Sequence, residues 1–269
     1  MHAQRARWIT IVGPGGVGKT RIALELAHET TGEVAFVPLD AVTESEGVLP
    51  AIARALGLHA TGADISQALS LHLRTRTILL VLDNFEHVTD AAADVAAAIS
   101  TAGNVLALAT SRIPLWIPGE RLFELNPFDT DVNTGANVRV PSAAVQLFLD
   151  RIPRKPDVIP VDWLDAIAKI CRRIDGLPLA IELAAARTRA MSPPALLARL
   201  EPMLPVLTQG PRDAPERQQT MTACVAWSYA LLSDAEQRVF RRLGVAIGGC
   251  TVDAAAAYVA GDDAPPEPA

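Results

Sequence analysis

The first half of the chain alternates between short apolar runs and segments with helical periodicity. The apolar runs predict strands at residues 8–12, 34–39, 77–83, 105–112 and 121–125. Apolar residues at helical spacing predict helices at residues 21–27, 43–57, 65–74 and 89–100, the second opened by a Thr43–Glu46 capping box. Strands that alternate with helices predict a parallel sheet covered on both faces, with the continuous run Thr77–Asp83 as a central strand.

The second half of the chain carries no further strand signal and is predicted to be helical. A polar stretch from Asp131 to Pro141 separates the halves and has the composition of a linker. Helices are predicted to begin at Ser142, Asp162, Leu179, Pro193, Thr220 and Ser233, the last with a Ser233–Glu236 capping box. The Gly- and Pro-rich stretch 209–215 marks a second boundary, Gly248-Gly249 a turn, and residues 262–269 a frayed tail.

Composition narrows the classes of protein to consider. Half of the 269 residues are hydrophobic and 20% are charged, which suits a folded chain with a core. A net charge of −6 argues against a nucleic-acid-binding surface, so direct DNA binding is not expected. Cys171, Cys224 and Cys250 are odd in number and far apart, unlike a disulfide framework or zinc site. No segment has the length of a membrane span or signal peptide, so a cytoplasmic protein without membrane contact is expected.

The motif that carries the chemistry is Gly13-Pro14-Gly15-Gly16-Val17-Gly18-Lys19-Thr20, which fits the P-loop pattern G-x-x-x-x-G-K-[ST]. Backbone N–H groups of the loop and the following helix would surround the β-phosphate of ATP or ADP, Lys19 would reach the β- and γ-phosphates, and Thr20 would bind Mg²⁺. The predicted nucleotide-binding residues here are Gly13, Gly15, Gly16, Val17, Gly18, Lys19, Thr20 and Arg21. The alternative is an ordinary Gly-rich turn, but only three of the 24 basic residues are lysines, so lysine at the motif position is not the default choice.

A second phosphate-site element is predicted where the strand 77–83 ends. Asp83 has the position of the acidic residue that holds Mg²⁺ in P-loop proteins, and the alternative is a carboxylate that caps the next turn. Asn84 cannot accept a proton, so it is not the base that activates water. Glu86 could polarise the attacking water or be a solvated loop carboxylate, and the sequence leaves both open. Arg112 would point from a neighbouring strand towards the γ-phosphate, or be a surface arginine. The predicted catalytic residues are Lys19, Asp83, Glu86 and Arg112, and the predicted metal ligands are Thr20 and Asp83.

Several segments together resemble the STAND class of signal-transducing P-loop ATPases, which is related to NB-ARC domains. More narrowly, the chain is similar to the ATPase module of large bacterial LuxR-type and antibiotic-regulator-like transcription factors. The segments that carry the resemblance, in the family's order, are Gly13–Thr20, Leu80–His87, Ala109–Arg112, Asp175–Arg187, Arg217–Thr220 and Trp227–Tyr229.

The resemblance implies a nucleotide-binding sheet, a helical domain and a winged-helix domain that close over ATP or ADP. The predicted domains are then 1–130, 141–208 and a partial winged helix at 214–260. The resemblance also implies sensor roles for Thr110 and Arg112. It implies contact of Gly176-Leu177-Pro178 with the adenine, which adds Pro178 to the nucleotide-binding residues. Gly176 and Pro178 would also serve as a helix break.

The chain departs from the family's pattern in three respects. Family members carry a Gly-Arg-containing segment before the P-loop that packs on the adenine, and residues 1–12 are too few to supply it. The winged-helix region ends soon after Gly248-Gly249 and lacks a Met-His-Asp signature. Helical repeats and a DNA-binding helix-turn-helix do not appear. The expectation is a fragment or a short member that works with other domains or subunits of a larger regulator.

Other residue patterns give no competing site. The five histidines lack ligand spacing, and Ser111 and Ser228 lack a partnered base. The arginines at 172–173 and 238–242 lie near predicted helix ends, where cations complement the helix dipole, and DNA contact through them is a minor alternative.

The leading functional hypothesis is a nucleotide-operated switch, in which ATP and ADP stabilise different domain arrangements. The rival is a metabolic P-loop enzyme such as a small-molecule kinase, which would need an acceptor pocket and a basic lid where this chain turns helical. A DNA-binding module is the third hypothesis. Because neither a base nor an arginine finger is assured, ATP hydrolysis by the chain alone is expected to be slow.

Overall fold

The main sheet has five parallel strands in the order β2-β3-β4-β1-β5. The computed structural model describes residues 7–58, 65–100, 102, 104–130, 133–135, 138–154, 156–200, 207, 220–230, 232–244 and 251–260. The strands are β1 (Trp8–Val12), β2 (Glu33–Pro38), β3 (Thr77–Asp83), β4 (Asn104–Ser111) and β5 (Glu120–Glu124). This sheet confirms the predicted α/β fold of a P-loop NTPase.

Helices cover both faces of the sheet. They are α1 (Lys19–Glu29), α2 (Val48–Ala55), α3 (Ile65–Leu73) and α4 (Ala92–Ser100), with short 3₁₀ turns at Ser45–Gly47, Phe85–His87 and Thr89–Ala91. Strand β3 shows why its apolar run is continuous. Leu80 and Leu82 belong to the core beneath α2, α3 and α4. Leu79 and Val81 belong to the opposite core, which includes Ala23 of α1. A strand buried on both faces has no solvent side and so no polar alternation.

One local prediction in the first half is wrong. The Thr43–Glu46 capping box does not form: Glu44 caps the Ser45–Gly47 turn without a side-chain hydrogen bond, and α2 begins at Val48. Pro50 explains the late start, because proline is tolerated in the first turn of a helix but not in its interior. The predicted linker contains a small antiparallel hairpin of β6 (Asn133–Gly135) and β7 (Val138–Val140). The Val-Arg-Val sequence of β7 has the β-branched alternation that favours a strand.

A helical part follows the hairpin and has its own core. It comprises α5 (Ala143–Arg151), α6 (Val161–Arg173), α7 (Pro178–Arg187) and α8 (Pro193–Ala198). The predicted cap of α5 is confirmed, since Ser142 Oγ accepts a hydrogen bond from the N–H of Val145. Cys171 is buried in this core, and burial raises the pKa of its thiol to about 12. The thiol is therefore a packing group and not a nucleophile.

The last described residues form three helices, α9 (Met221–Ala230), α10 (Asp234–Leu243) and α11 (Val252–Ala260). The Ser233–Glu236 capping box of α10 is confirmed, and its hydrogen bonds lower the pKa of Glu236. Helix α11 was not predicted. Its Ala-rich sequence favours a helix but has no apolar periodicity to reveal one.

The remaining sequence predictions for this end of the chain lie outside the described residues. They concern the 209–215 boundary, Arg217 to Gln219, the Gly248-Gly249 turn and the 262–269 tail. The domain bounds and the partial winged helix stay predictions. Among the described helices, none combines the length and the apolar character needed to cross a bilayer.

Candidate functional site

The carboxyl ends of three neighbouring strands bring the predicted site residues together. The P-loop follows β1, Asp83 ends β3 and Ser111 ends β4. Strand β4 lies between β1 and β3, so its carboxyl end is next to the carboxyl ends of both. Ligands of open α/β sheets bind at this edge.

The P-loop wraps around its own lysine. Lys19 is only 8% exposed. Its Nζ donates hydrogen bonds to the carbonyl oxygens of Gly13 at 2.9 Å and Pro14 at 3.1 Å. Gly18, at φ 104°, precedes helix α1, which begins at Lys19 with no side-chain cap and no acidic residue in its first turn. A helix N-terminus of this kind, with a lysine beside it, is a site for a phosphate group.

A hydroxyl of the P-loop joins the strand-end carboxylate. Thr20 Oγ1 donates to Asp83 Oδ1 at 2.7 Å, and Thr110 Oγ1 donates to the same oxygen at 2.6 Å. The Asn84 side chain donates to the other oxygen at 3.2 Å. Asp83 is only 4% exposed, so the position of its carboxylate is defined by these bonds. The P-loop is thus bonded directly to the end of β3 through Thr20, and Thr110 of β4 holds the same carboxylate oxygen.

The donor set at Thr20 and Asp83 suits Mg²⁺. Hydroxyl and carboxylate oxygens are ligands that this ion prefers, and it is commonly bound by one or two carboxylates together with substrate phosphates and water. Over the described residues, no group of three or more His, Cys, Asp and Glu side chains could hold a metal. Thr20 and Asp83 therefore fit a Mg²⁺ ion that is also bound by the phosphates of a nucleotide.

Glu86 and Arg112, which follow β3 and β4 in the chain, form an ion pair. Arg112 Nε donates to Glu86 Oε1 at 3.1 Å, and the two side chains are 21% and 6% exposed, respectively. The alternative of a solvated loop carboxylate for Glu86 is wrong. Arg112 is partly exposed, and its role at the site stays a prediction. The sequence proposed both residues for the site but gave no sign that they contact each other.

The first turn of α7 packs on the P-loop. The N–H of Leu179 donates to the carbonyl oxygen of Gly16 at 3.1 Å. A Cβ added to Gly16, which has φ 79°, would lie 3.0 Å from the Cβ of Leu179. Pro178 is the first residue of this helix, which brings it beside the loop. Its contact with an adenine stays a prediction.

Glu182 is a residue of this interface that sequence analysis missed. It lies on α7 and accepts a hydrogen bond from Arg151 Nε at 2.9 Å. Arg21 Nη1 of the P-loop helix is 3.9 Å from the same carboxylate oxygen, with a side chain that is largely exposed. The signal was a single charge in the otherwise apolar run from Leu179 to Ala186. The role predicted for Arg21 in nucleotide binding stays a prediction.

Sequence comparisons, like the geometry of the site, indicate a P-loop domain. Residues 2–124 match the AAA domain family. A Mycobacterium tuberculosis protein provisionally named an HTH-type transcriptional regulator is 40% identical over 266 residues, which are 97% of this chain but 29% of the relative. An uncharacterized protein of the same species is 36% identical over 265 residues, covering 96% of this chain and 65% of that protein. The chain thus spans less than two thirds of the length of either relative.

Two solved structures of low sequence identity align with most of this chain. Cdc6p of Pyrobaculum aerophilum has a TM-score of 0.47 and 18% identity, covering 94% of this chain and 72% of that one. A STAND protein with a tetratricopeptide repeat sensor from Pyrococcus horikoshii has a TM-score of 0.41 and 14% identity, covering 89% and 32%. Both TM-scores lie below 0.5, so neither likeness carries an argument.

Proposed function

We propose, from the AAA-type P-loop domain of residues 2–124, that this chain is the ATP- and ADP-binding module of a regulatory switch. The observation that carries the proposal is the hydrogen bond between Thr20 and Asp83, next to the buried Lys19. It joins a phosphate-binding loop to a magnesium-binding carboxylate, and P-loop NTPases use these two elements to hold a nucleoside triphosphate.

In this proposal each site residue has a separate task. Lys19 and the N-terminus of α1 bind the β-phosphate, while Thr20 and Asp83 hold Mg²⁺. The ion, when bound, neutralises charge on the β- and γ-phosphates. Arg112 reaches the γ-phosphate, and Glu86 is the candidate group to orient a water molecule. The contact between Leu179 and Gly16 supports the switch role, since a shift of the P-loop on nucleotide binding would act directly on α7.

The same proposal places the module in the STAND class, related to NB-ARC domains, within a cytoplasmic LuxR-type transcriptional regulator. The segments quoted above support this, and so does the name of the M. tuberculosis relative. Because the chain covers 29% of that relative, other domains or subunits of a larger regulator are its proposed partners. Direct DNA contact by this chain is not part of the proposal, in keeping with a net charge of −6.

The rate of ATP hydrolysis distinguishes a nucleotide switch from a metabolic enzyme. We expect the purified chain with Mg-ATP to release phosphate well below the ~1–10³ s⁻¹ of ordinary enzymes. Asn84 cannot act as a base, and an arginine finger would have to come from a neighbouring subunit. The measurement is steady-state phosphate release, accompanied by a screen for labelled phosphate on small-molecule acceptors. Transfer to an acceptor would favour a kinase, and turnover of several per second, lost in Glu86→Gln, would show a competent ATPase.

Asp83→Asn should remove the effect of Mg²⁺ on nucleotide affinity. Asparagine keeps an oxygen that accepts from Thr20 and Thr110 but has no charge for the metal, so Mg²⁺ should bind about 10- to 100-fold more weakly. Binding of ADP in the presence of a chelator should be unchanged. The measurement is a calorimetric titration with and without Mg²⁺, with Asp90→Asn, an exposed acid after the same strand, as control. A Mg²⁺ effect that survives in Asp83→Asn would assign the metal to other residues.

A further inference from the structure

The ion pair between the buried Glu86 carboxylate and the partly exposed Arg112 side chain uses only one of the two carboxylate oxygens. Glu86 Oε1 accepts from Arg112 at 3.1 Å. Glu86 Oε2 is buried and has no hydrogen-bond partner among the described residues. A buried carboxylate needs both a compensating positive charge and hydrogen bonds. Here the Arg112 guanidinium supplies the charge and one hydrogen bond. The pair is therefore held by a single contact and is sensitive to any competitor for Arg112.

The glutamate is the fixed member of the pair. It lies in the Phe85–His87 turn, where the fully buried Phe85 packs edge-on against Trp8 with ring centroids 6.1 Å apart. His87 Nε2 donates to the carbonyl oxygen of Leu39 at 2.6 Å. Asn84, just before the turn, donates its N–H to Thr110 Oγ1 at 2.9 Å. These contacts anchor the turn on both sides of Glu86, so a change of partner falls to the arginine side chain.

Arg112 follows β4, which pairs with the strand that ends at Asp83. It lies two residues after Thr110, whose hydroxyl donates to the Asp83 carboxylate. A guanidinium forms the same bidentate bonds with phosphate as with carboxylate, and a terminal phosphate carries more negative charge. ADP has no γ-phosphate and offers no such competitor.

We propose that Arg112 exchanges partners, bound to Glu86 when the nucleotide lacks a γ-phosphate and to the γ-phosphate when ATP is present. The inference rests on the proposed nucleotide-binding function. Glu86 then acts as an internal competitor that lowers the affinity for ATP and leaves that for ADP unaffected. The pair sets how strongly the switch discriminates between the two nucleotides.

Removing the negative charge of Glu86 tests whether it competes with the γ-phosphate for Arg112. In Glu86→Gln the side chain keeps its shape but loses its charge, so Arg112 is released. We expect the affinity for the non-hydrolysable ATP analogue AMP-PNP with Mg²⁺ to rise about tenfold, within the usual range of coupling between sites, with the affinity for ADP unchanged. Arg112→Ala should lower AMP-PNP affinity and spare ADP. The double variant should match Arg112→Ala, because the gain needs the arginine. Calorimetric titrations of the whole chain measure all four proteins.

Control variants distinguish the exchange of partners by Arg112 from a general effect of removing a carboxylate. Glu33→Gln breaks an exposed ion pair with Arg76 at the start of β2, on the opposite edge of the sheet, and should change neither affinity. Should Glu86→Gln not fold, Glu86→Asp, which draws the carboxylate back by one methylene, should show a smaller gain in the same direction. Equal changes for ADP and AMP-PNP, or a gain that persists without Arg112, would overturn the exchange. A wild-type chain that binds neither nucleotide would instead overturn the proposed function.

Discussion

Lys19→Ala is expected to weaken ATP binding by about 30- to 140-fold, which corresponds to the loss of about 2–3 kcal/mol for a charged hydrogen bond. The ADP affinity should fall less, because Lys19 reaches the γ-phosphate as well as the β-phosphate. The ammonium group donates to the carbonyl oxygens of Gly13 and Pro14, so it lies inside the loop that the phosphates would fill.

Calorimetric titration with each nucleotide measures the change in affinity. Lys169→Ala is the matched control, because Lys169 is exposed on α6 and its loss should leave both affinities unaltered. Thermal unfolding without nucleotide shows whether the Lys19 variant keeps its fold. If a folded Lys19→Ala variant bound ATP as tightly as the wild type, the P-loop assignment would be wrong.

The features that sequence analysis predicted well are those encoded over short stretches. The strand Thr77–Asp83 has the predicted bounds, because an apolar run between polar residues marks both of its ends. The P-loop is similar, since one eight-residue pattern sets a turn, a lysine and a helix start. The α/β class then followed from the order of strands and helices along the chain.

Contacts between distant segments were beyond a single sequence. Glu86 and Arg112 are 26 positions apart, and their pairing requires that β4 lie next to β3, which no local pattern states. The hydrogen bond between Leu179 and Gly16 joins the helical part to the P-loop and was equally hidden. Local patterns also failed where two signals conflicted, as at Thr43, where the capping box lost to the constraint imposed by Pro50.

Gly176→Ala should cost on the order of 4 kcal/mol of unfolding free energy, in the range of the most damaging point substitutions. Gly176 has φ 64°, and a Cβ at this position would lie 2.0 Å from the carbonyl oxygen of Phe128. The same glycine accepts a hydrogen bond from the N–H of Phe128 at 3.0 Å, so the two backbones are already in contact. An alanine would have to separate the segment after β5 from the turn before α7. That turn also positions Leu179 on the P-loop, so nucleotide affinity should fall as well.

Gly57→Ala measures the loss of stability that comes from the left-handed backbone conformation alone. Gly57 has a similar φ of 71° but nothing within 4 Å of the added Cβ, so only the left-handed conformation is penalised, by about 1 kcal/mol. Urea unfolding of both variants gives the difference, which should be about 3 kcal/mol and reports the contact with Phe128. Equal losses in the two variants would mean that the segment at Phe128 moves aside easily. In that case the turn before α7 would not be a rigid connection between the sheet and the helical part, and the route from P-loop to α7 would depend on Leu179 alone.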